Sequence, residues 1–391
     1  MKLAHLADVH LGFRQYHRLT GSGVNQREAD VANAFRRAID DIVAAAPDLV
    51  LIAGDLFNSV RPSNPAILDS FRLLHQLRSA LPAAPVVIVA GNHDAPRSVE
   101  TGTILRLFEA LEGVHVVADR PTDLAFEELD AVVSCVPHSS LLSGTRPTLT
   151  PPDGPGRKIL VTHGEVAGVF RRGTADYEAG AARVEPGELH ADRWDYVALG
   201  HYHVAHQVAE NAWYSGALEY VSHNPWGELL DEAREGRAGK KGWLLVELAK
   251  TPSVRFRAVE LARRVVDLQP IHASGLGAVE ISDAIRAQAE RIDDQVVRQV
   301  VFDVPRPIAR DLDHAMIRDL KARALHFHLD LRRPEAQREV GVGSPGTRQT
   351  LADVLTDYLS RRPLDAEVDR ERLVALGRQY MHDVEQEPVE D

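Results

Sequence analysis

The sequence predicts an α/β layered fold, followed by a smaller α/β unit and a helical C-terminal segment. The first half of the chain alternates short β-branched runs with amphipathic helical patterns. The pattern changes past Thr251 and again past Gly341-Val342-Gly343-Ser344-Pro345-Gly346. At 391 residues the chain is also long for a single undivided core.

The strand candidates are short apolar runs with turn-like or charged boundaries at 2–7, 49–53, 86–90, 114–117, 131–136, 159–162 and 196–199. Helices fit between them. Asn25 followed by Glu28 resembles a capping box, Val31, Phe35, Ala38 and Ile42 make one apolar stripe, and Pro47 stops that helix. In the next helix Asn64 is the expected cap with Pro65 at the first helical position, and Ile67, Phe71 and Leu74 share a face. The smaller unit shows a strand-like run at 300–304 and a helical run at 311–324. Two helical patterns follow, one with Leu351, Leu355, Tyr358 and Leu359, the other with Val368, Leu373, Leu376 and Tyr380, separated by Pro363. The expected boundaries are therefore 1–250, 251–340 and 347–391, the last ending in an acidic run.

Composition excludes several classes. The chain is 44% hydrophobic and 26% charged, as ordinary globular proteins are. Its one cysteine, Cys135, rules out an intrachain disulfide and a thiolate zinc site, and fits a reducing compartment. The longest apolar runs are strand-sized, well short of the roughly 18 residues of a membrane helix, and His5 and Asp8 interrupt any signal-peptide core. A cytoplasmic protein without membrane association is expected. A net charge of −12 argues against a polycation that coats nucleic acid, so phosphate binding must come from a local patch or a bound metal.

Five clusters each fall just past a predicted strand: Asp8-Val9-His10, Gly54-Asp55, Gly91-Asn92-His93-Asp94, Thr162-His163-Gly164 and Gly200-His201-Tyr202-His203. In open α/β sheets ligands collect at the carboxyl ends of strands, so distant clusters can converge there. Glycine at 54, 91, 164 and 200 suits sharp turns and close backbone approach. Asp, Asn and His without thiolate form a mixed O/N donor set that suits Mn²⁺, Fe²⁺ or Zn²⁺ more than Ca²⁺ or structural zinc. Seven candidate ligands exceed what one tetrahedral ion uses. Two cations about 3.5–4 Å apart with a bridging carboxylate are therefore expected, with Asp55 as the bridge. Each cluster alone is weak, because surface His and turn Asp are common; the order of all five carries the reading. His5, His75, His115, His138, His190, His206 and His223 lie outside that order and are read as core, surface or supporting residues.

These clusters, in this order, resemble the calcineurin-like metallophosphoesterase superfamily. The wider text Met1-Lys2-Leu3-Ala4-His5-Leu6-Ala7-Asp8-Val9-His10-Leu11-Gly12 resembles its DNA-repair branch, the SbcD-type nucleases. Ala53-Gly54-Asp55-Leu56-Phe57, Arg61-Pro62-Ser63, Tyr196 through His203, Tyr214-Ser215-Gly216-Ala217-Leu218-Glu219 and Lys241-Gly242-Trp243 extend the likeness. It is good through about residue 250 and weaker through about 335.

The resemblance implies a four-layer α/β/β/α metallophosphoesterase sandwich with a capping domain. It implies that Asp8, His10, Asp55 and His203 hold one metal while Asp55, Asn92, His163 and His201 hold the other, most often Mn²⁺. His93 would face the scissile phosphate as the catalytic imidazole, with Asp94 orienting it. The activity implied is an exonuclease, with endonuclease action in some members. Asn58 departs from members with His or Asp after Asp-Leu-Phe, which bears on the balance between the two.

Arg14, Arg18, Arg61, Arg97, Arg171 and Arg172 lie near motif loops and are candidate DNA phosphate contacts. The family also implies a homodimer and a partner, a long SMC-like coiled-coil ABC ATPase (SbcC-type), which the paired C-terminal stripes could grip. The chain shows no Gly-x-x-x-x-Gly-Lys-[Ser/Thr] loop, so ATP hydrolysis is expected of that partner. The alternatives are an enzyme cleaving a small nucleotide or lipid diester and an inactive scaffold of the same fold.

Overall fold

The computed structural model describes residues 1–95, 102–169, 182–249, 251–334, 351–362 and 368–386. Its first sheet contains β1 (Lys2–Leu6), β2 (Leu49–Ala53), β3 (Val86–Val89), β4 (Val114–Val117), β13 (Lys241–Glu247) and β14 (Ser253–Val259). They lie in the order β14-β13-β1-β2-β3-β4. The second contains β5 (Thr122–Phe126), β6 (Ala131–Val136), β7 (Arg157–His163), β10 (Tyr196–Gly200), β11 (His206–Ala209) and β12 (Ala212–Tyr214), in the order β11-β12-β10-β7-β6-β5. The ribbon β8 (Glu165–Val166) and β9 (Arg183–Val184) forms a separate pair.

The central strands are apolar on both faces because both faces are covered. In β2, Val50 and Ile52 join a core under the helices, while Leu49, Leu51 and Ala53 join a second core between the sheets. The same alternation of period two runs through β3, with Val86 and Ile88 on one side and Val87 and Val89 on the other. α1 (Gln26–Ala45) and α2 (Asn64–Ala80) form the outer layer on the first sheet. On the second sheet the outer layer is built from α3 (His138–Leu141), short 3-10 turns and the β8-β9 ribbon, packed on Leu160, Val197, Leu199 and Tyr214. The sandwich is thus α/β/β/α, with its fourth layer reduced to short pieces among the described residues.

Helix starts differ from expectation in instructive ways. Asn25 caps α1 by accepting from Arg27 N–H at 3.0 Å, but Glu28 does not close a capping box. Its carboxylate instead takes Arg14 Nε at 2.7 Å and the Ser63 hydroxyl, joining the starts of α1 and α2. Ser63, not Asn64, caps α2, through its hydroxyl and Ala66 N–H at 3.3 Å. Ala46 ends α1 in the left-handed region, with Pro47 behind it.

Past α4 (Pro225–Arg234), the expected boundary at 250 falls between β13 and β14, an antiparallel pair of one sheet. A four-stranded sheet of β15 (Val265–Asp267), β16 (Ile271–His272), β17 (Val296–Phe302) and β18 (His326–Leu331) then carries α5 (Ala278–Gln288), α6 (Arg306–Arg310) and α7 (His314–Arg323) around its own core. Residues Met1–Arg333 form one compact unit and Pro334–Asp391 another. The second unit contains α8 (Leu351–Arg361) and α9 (Arg370–Gln386). The glycine-rich stretch at 341–346, Pro363 and the acidic end past 386 lie outside the described residues. No helix among the described residues is long and apolar enough to cross a membrane.

Candidate metal centre

The site forms where the carboxyl ends of both sheets meet. Asp8 and His10 follow β1, Asp55 follows β2, Asn92 and His93 follow β3, His163 closes β7, and His201 and His203 follow β10. Parallel pairing of β10 with β7 sets Gly200 opposite His163, and parallel pairing of β1, β2 and β3 aligns the other loops. Two glycines permit the convergence. A Cβ on Gly200 would lie 1.8 Å from Ala53 O, and one on Gly91 would lie 2.1 Å from Asp55 Oδ1.

Four of the site residues themselves adopt positive φ: Asp8 at 53°, His10 at 52°, Asp55 at 52° and His201 at 105°. Such conformations cost non-glycine residues about 1–3 kcal/mol each, and they persist where the surroundings fix them. The fixing bonds are visible. Asp8 N–H donates to Gly54 O at 3.0 Å and His10 N–H to Asp55 O at 3.0 Å, while His201 N–H donates to Asp8 Oδ1 at 3.0 Å.

All seven predicted ligands meet here. His163 Nε2 lies 2.9 Å from Asn92 Oδ1, 3.2 Å from Asp55 Oδ2 and 4.0 Å from Asp8 Oδ1. His201 Nδ1 lies 3.2 Å from Asn92 Oδ1, and His10 Nε2 lies 3.8 Å from Asp55 Oδ2. Three triads place their donor atoms within 4.8 Å of one another: Asp8-His10-His203, His10-Asp55-His93 and Asp8-Asp55-His163. Asp8, His10 and Asp55 each belong to two of them. The carboxylates are buried, whereas Asn92, His93 and His203 form a partly buried rim.

The electrostatics fit cations. Burial pushes the Asp8 carboxyl up to about 6, against the pull of His163 and His203. Burial opposes ionisation of Asp55 too, but His163, His10 and His93 overcome it and hold that carboxyl well below the usual range. His163 shows the reverse balance, with burial outweighed by Asp55 and Asp8, so its imidazole rises to about 10. Asp55 Oδ2 is buried and faces the imidazoles of His163 and His10. A buried carboxylate oxygen facing imidazoles, in an Asp/Asn/His donor set, suits divalent transition ions.

Asp94, expected to orient His93, sets its fully buried carboxylate on backbone amides, accepting from Leu56 N–H at 3.2 Å, Phe57 N–H at 3.1 Å and Gly91 N–H at 3.1 Å. It ties the loop after β2 to the loop after β3, and burial and the charge of Asp55 push it up to about 7. For His93, Nδ1 lies 2.8 Å from Asn58 O and the backbone N–H donates to Asp55 Oδ1 at 2.9 Å. Position 58 therefore acts through its backbone, which no side-chain motif reveals.

Among the candidate phosphate contacts, Arg14 pairs with buried Glu28, and Arg18 reaches Asp294 Oδ1 at 2.7 Å on the smaller sheet's side of the unit. Arg61 is exposed, while Arg97, Arg171 and Arg172 lie outside the described residues. His5 is a core residue as expected, between Tyr196 OH at 2.9 Å and Leu199 O at 3.2 Å. His138, set aside in the sequence, stands against the site, with Nδ1 3.3 Å from His163 O. It too follows a strand closely, a signal that the motif order passes over.

The calcineurin-like phosphoesterase family model matches residues 1–205, and the chain belongs to that family. It is a metal-dependent phosphoesterase, a hydrolase. Its relatives of Mre11 type run across most of the chain. The DNA double-strand break repair protein Mre11 of Sulfolobus acidocaldarius is 23% identical over 380 residues, covering 92% of this chain and 90% of that protein. The protein of the same name from Methanocaldococcus jannaschii is 30% identical over 263 residues, covering 64% of this chain and 63% of that one.

Proposed function

We propose that this chain is a Mn²⁺-dependent DNA nuclease acting in double-strand break repair. The observation that carries the reading is the convergence of all seven donors with His93 at the rim, in a chain whose relatives bear the name of a break-repair protein. In this reading Asp8, His10, Asp55 and His203 hold one cation, and Asp55, Asn92, His163 and His201 the other. Such cations withdraw charge from a phosphodiester and make water acidic enough to attack it near neutral pH. The buried carboxylates fix the cations, and His93 stabilises or protonates the leaving oxygen. Its Nδ1 faces Asn58 O, so the proton it delivers sits on Nε2. Arg61 is the exposed candidate for a backbone phosphate.

The smaller sheet of β15 to β18 is proposed to shape the DNA path, the part expected of residues 251–340. The C-terminal helices are proposed to bind the coiled coil of an SMC-like ABC ATPase. Tyr358, Val368, Leu376 and Tyr380 are exposed there, an apolar set that suits a partner helix. The enzyme would work as a homodimer in the cytoplasm.

End-labelled duplex DNA incubated with Mn²⁺, Mg²⁺ or EDTA tests this. Mn²⁺-dependent shortening should fall by about 100-fold or more in His93→Ala, the usual range for losing a general acid, and the product ladder gives the polarity. Intact DNA beside a hydrolysed chromogenic diester would favour a small nucleotide or lipid diester. A purified chain that binds no Mn²⁺ would favour the inactive scaffold.

A further inference from the structure

We propose that Glu228 is a positioning residue that holds the imidazole of His203 toward Asp8 and His10. The proposal rests on the assignment of His203 to a cation. His203 Nδ1 lies 3.6 Å from Glu228 Oε1, a charge contact somewhat longer than a hydrogen bond, and the Glu228 side chain is 1% exposed. A carboxylate on that side favours the proton on Nδ1 and leaves the lone pair on Nε2, the arrangement that fixes a ligating imidazole.

Glu228 is itself held in place. Ser222 N–H donates to Oε1 at 3.2 Å, and Lys241 Nζ donates to Oε2. Lys241 is equally buried; it also donates to the carbonyl of His203 at 2.9 Å and stands over the Tyr220 ring at 4.6 Å. One ion cluster thus contacts both the ring and the backbone of His203. The helix that carries Glu228 is anchored as well. Asn224 caps α4, and Trp226, two residues before Glu228, donates Nε1–H to Val266 O at 3.3 Å and stacks on His328.

A bland reading is that Glu228 only neutralises a buried lysine, since a buried charge needs partners. Glu232 serves that purpose too, with Oε1 2.9 Å from Lys241 Nζ. Its other oxygen takes Tyr220 OH at 2.7 Å and Gly239 N–H at 2.9 Å. The two glutamates therefore share the lysine, and Glu228 is the one that contacts the imidazole.

Calorimetric titration of the metal-stripped full chain with Mn²⁺ separates these roles. Wild type should take up two ions and His203→Ala should lose one. Glu228→Gln should keep two, one of them bound about 10- to 100-fold more weakly. Glu232→Gln should bind as wild type does, although both glutamine variants lower the melting temperature of the metal-free chain. Glu228→Asp, which keeps a charge for Lys241 but draws it back from the imidazole, should fold and show the same one-site weakening. Wild-type affinities at both sites in Glu228→Gln and Glu228→Asp, with one ion lost in His203→Ala, would overturn the positioning role and leave the site assignment standing. Equal weakening in Glu228→Gln and Glu232→Gln would overturn it as well, making the effect structural. Two ions bound normally in His203→Ala would overturn the assignment, and this proposal with it.

Discussion

His5 and His163 are both fully buried histidines, yet their surroundings drive them in opposite directions. His163 faces two carboxylates and rises, whereas His5 lies between the sheets against a phenol and a carbonyl, and burial lowers it to about 3. A proton that the unfolded chain accepts below about pH 6.5 is refused by the folded one until near pH 3. His5 therefore contributes nothing to pH dependence above 6.5, and stability falls as pH drops from 6.5 toward 3. Between pH 7 and pH 5 that loss is about 2 kcal/mol at 1.36 kcal/mol per unit. Urea unfolding of the metal-free chain at the two pH values should show a difference smaller by about that amount in His5→Gln. An unchanged difference would mean that other groups set the acid sensitivity.

At the scale of elements, the ends of the strands decide the chemistry. β2, β7 and β10 bring Ala53, His163 and Gly200 together, so that His163 Nδ1 reaches Ala53 O at 2.8 Å across the two sheets. Gly200 has no room for a side chain there. Gly200→Ala should cost more than about 2 kcal/mol, because the added carbon meets backbone and not a yielding side chain, and diester hydrolysis should fall with it. Thermal melting of the metal-free variant checks the first effect. A melting temperature like that of wild type would show that the two sheets can part at this point without cost.

Across the whole molecule, the chain divides after Arg333, and the helical unit beyond contains α8 and α9. If that unit serves a partner, removing the residues after 346 should abolish co-purification of the ATPase. Mn²⁺-dependent cleavage of a simple diester should continue, because every candidate ligand precedes residue 204. Retained co-purification in a pull-down would sink the assignment of these helices.

Most of the catalytic half was legible because its physics is local. An apolar run such as 49–53 or 131–136 bounded by a charge or a turn has one good conformation, and β2 and β6 match those limits. The candidate ligands were legible for the same reason, since each sits at the end of such a run. β11, β12 and β14 were not, because their residues alternate or are short and become strands by pairing with neighbours. Long-range polar contacts left no periodic trace either: Glu28 turned from capping its own helix to joining Arg14 and Ser63, and Asp94 took up three backbone amides. The sequence alone determined the layered class, the donor set and the order of the clusters, all consequences of residue type and near neighbours. Only the tertiary structure decided which oxygen faces which imidazole, that Asn58 supports His93 through its carbonyl, and that Glu228 stands behind His203, because such contacts depend on where separate strands and helices end in space.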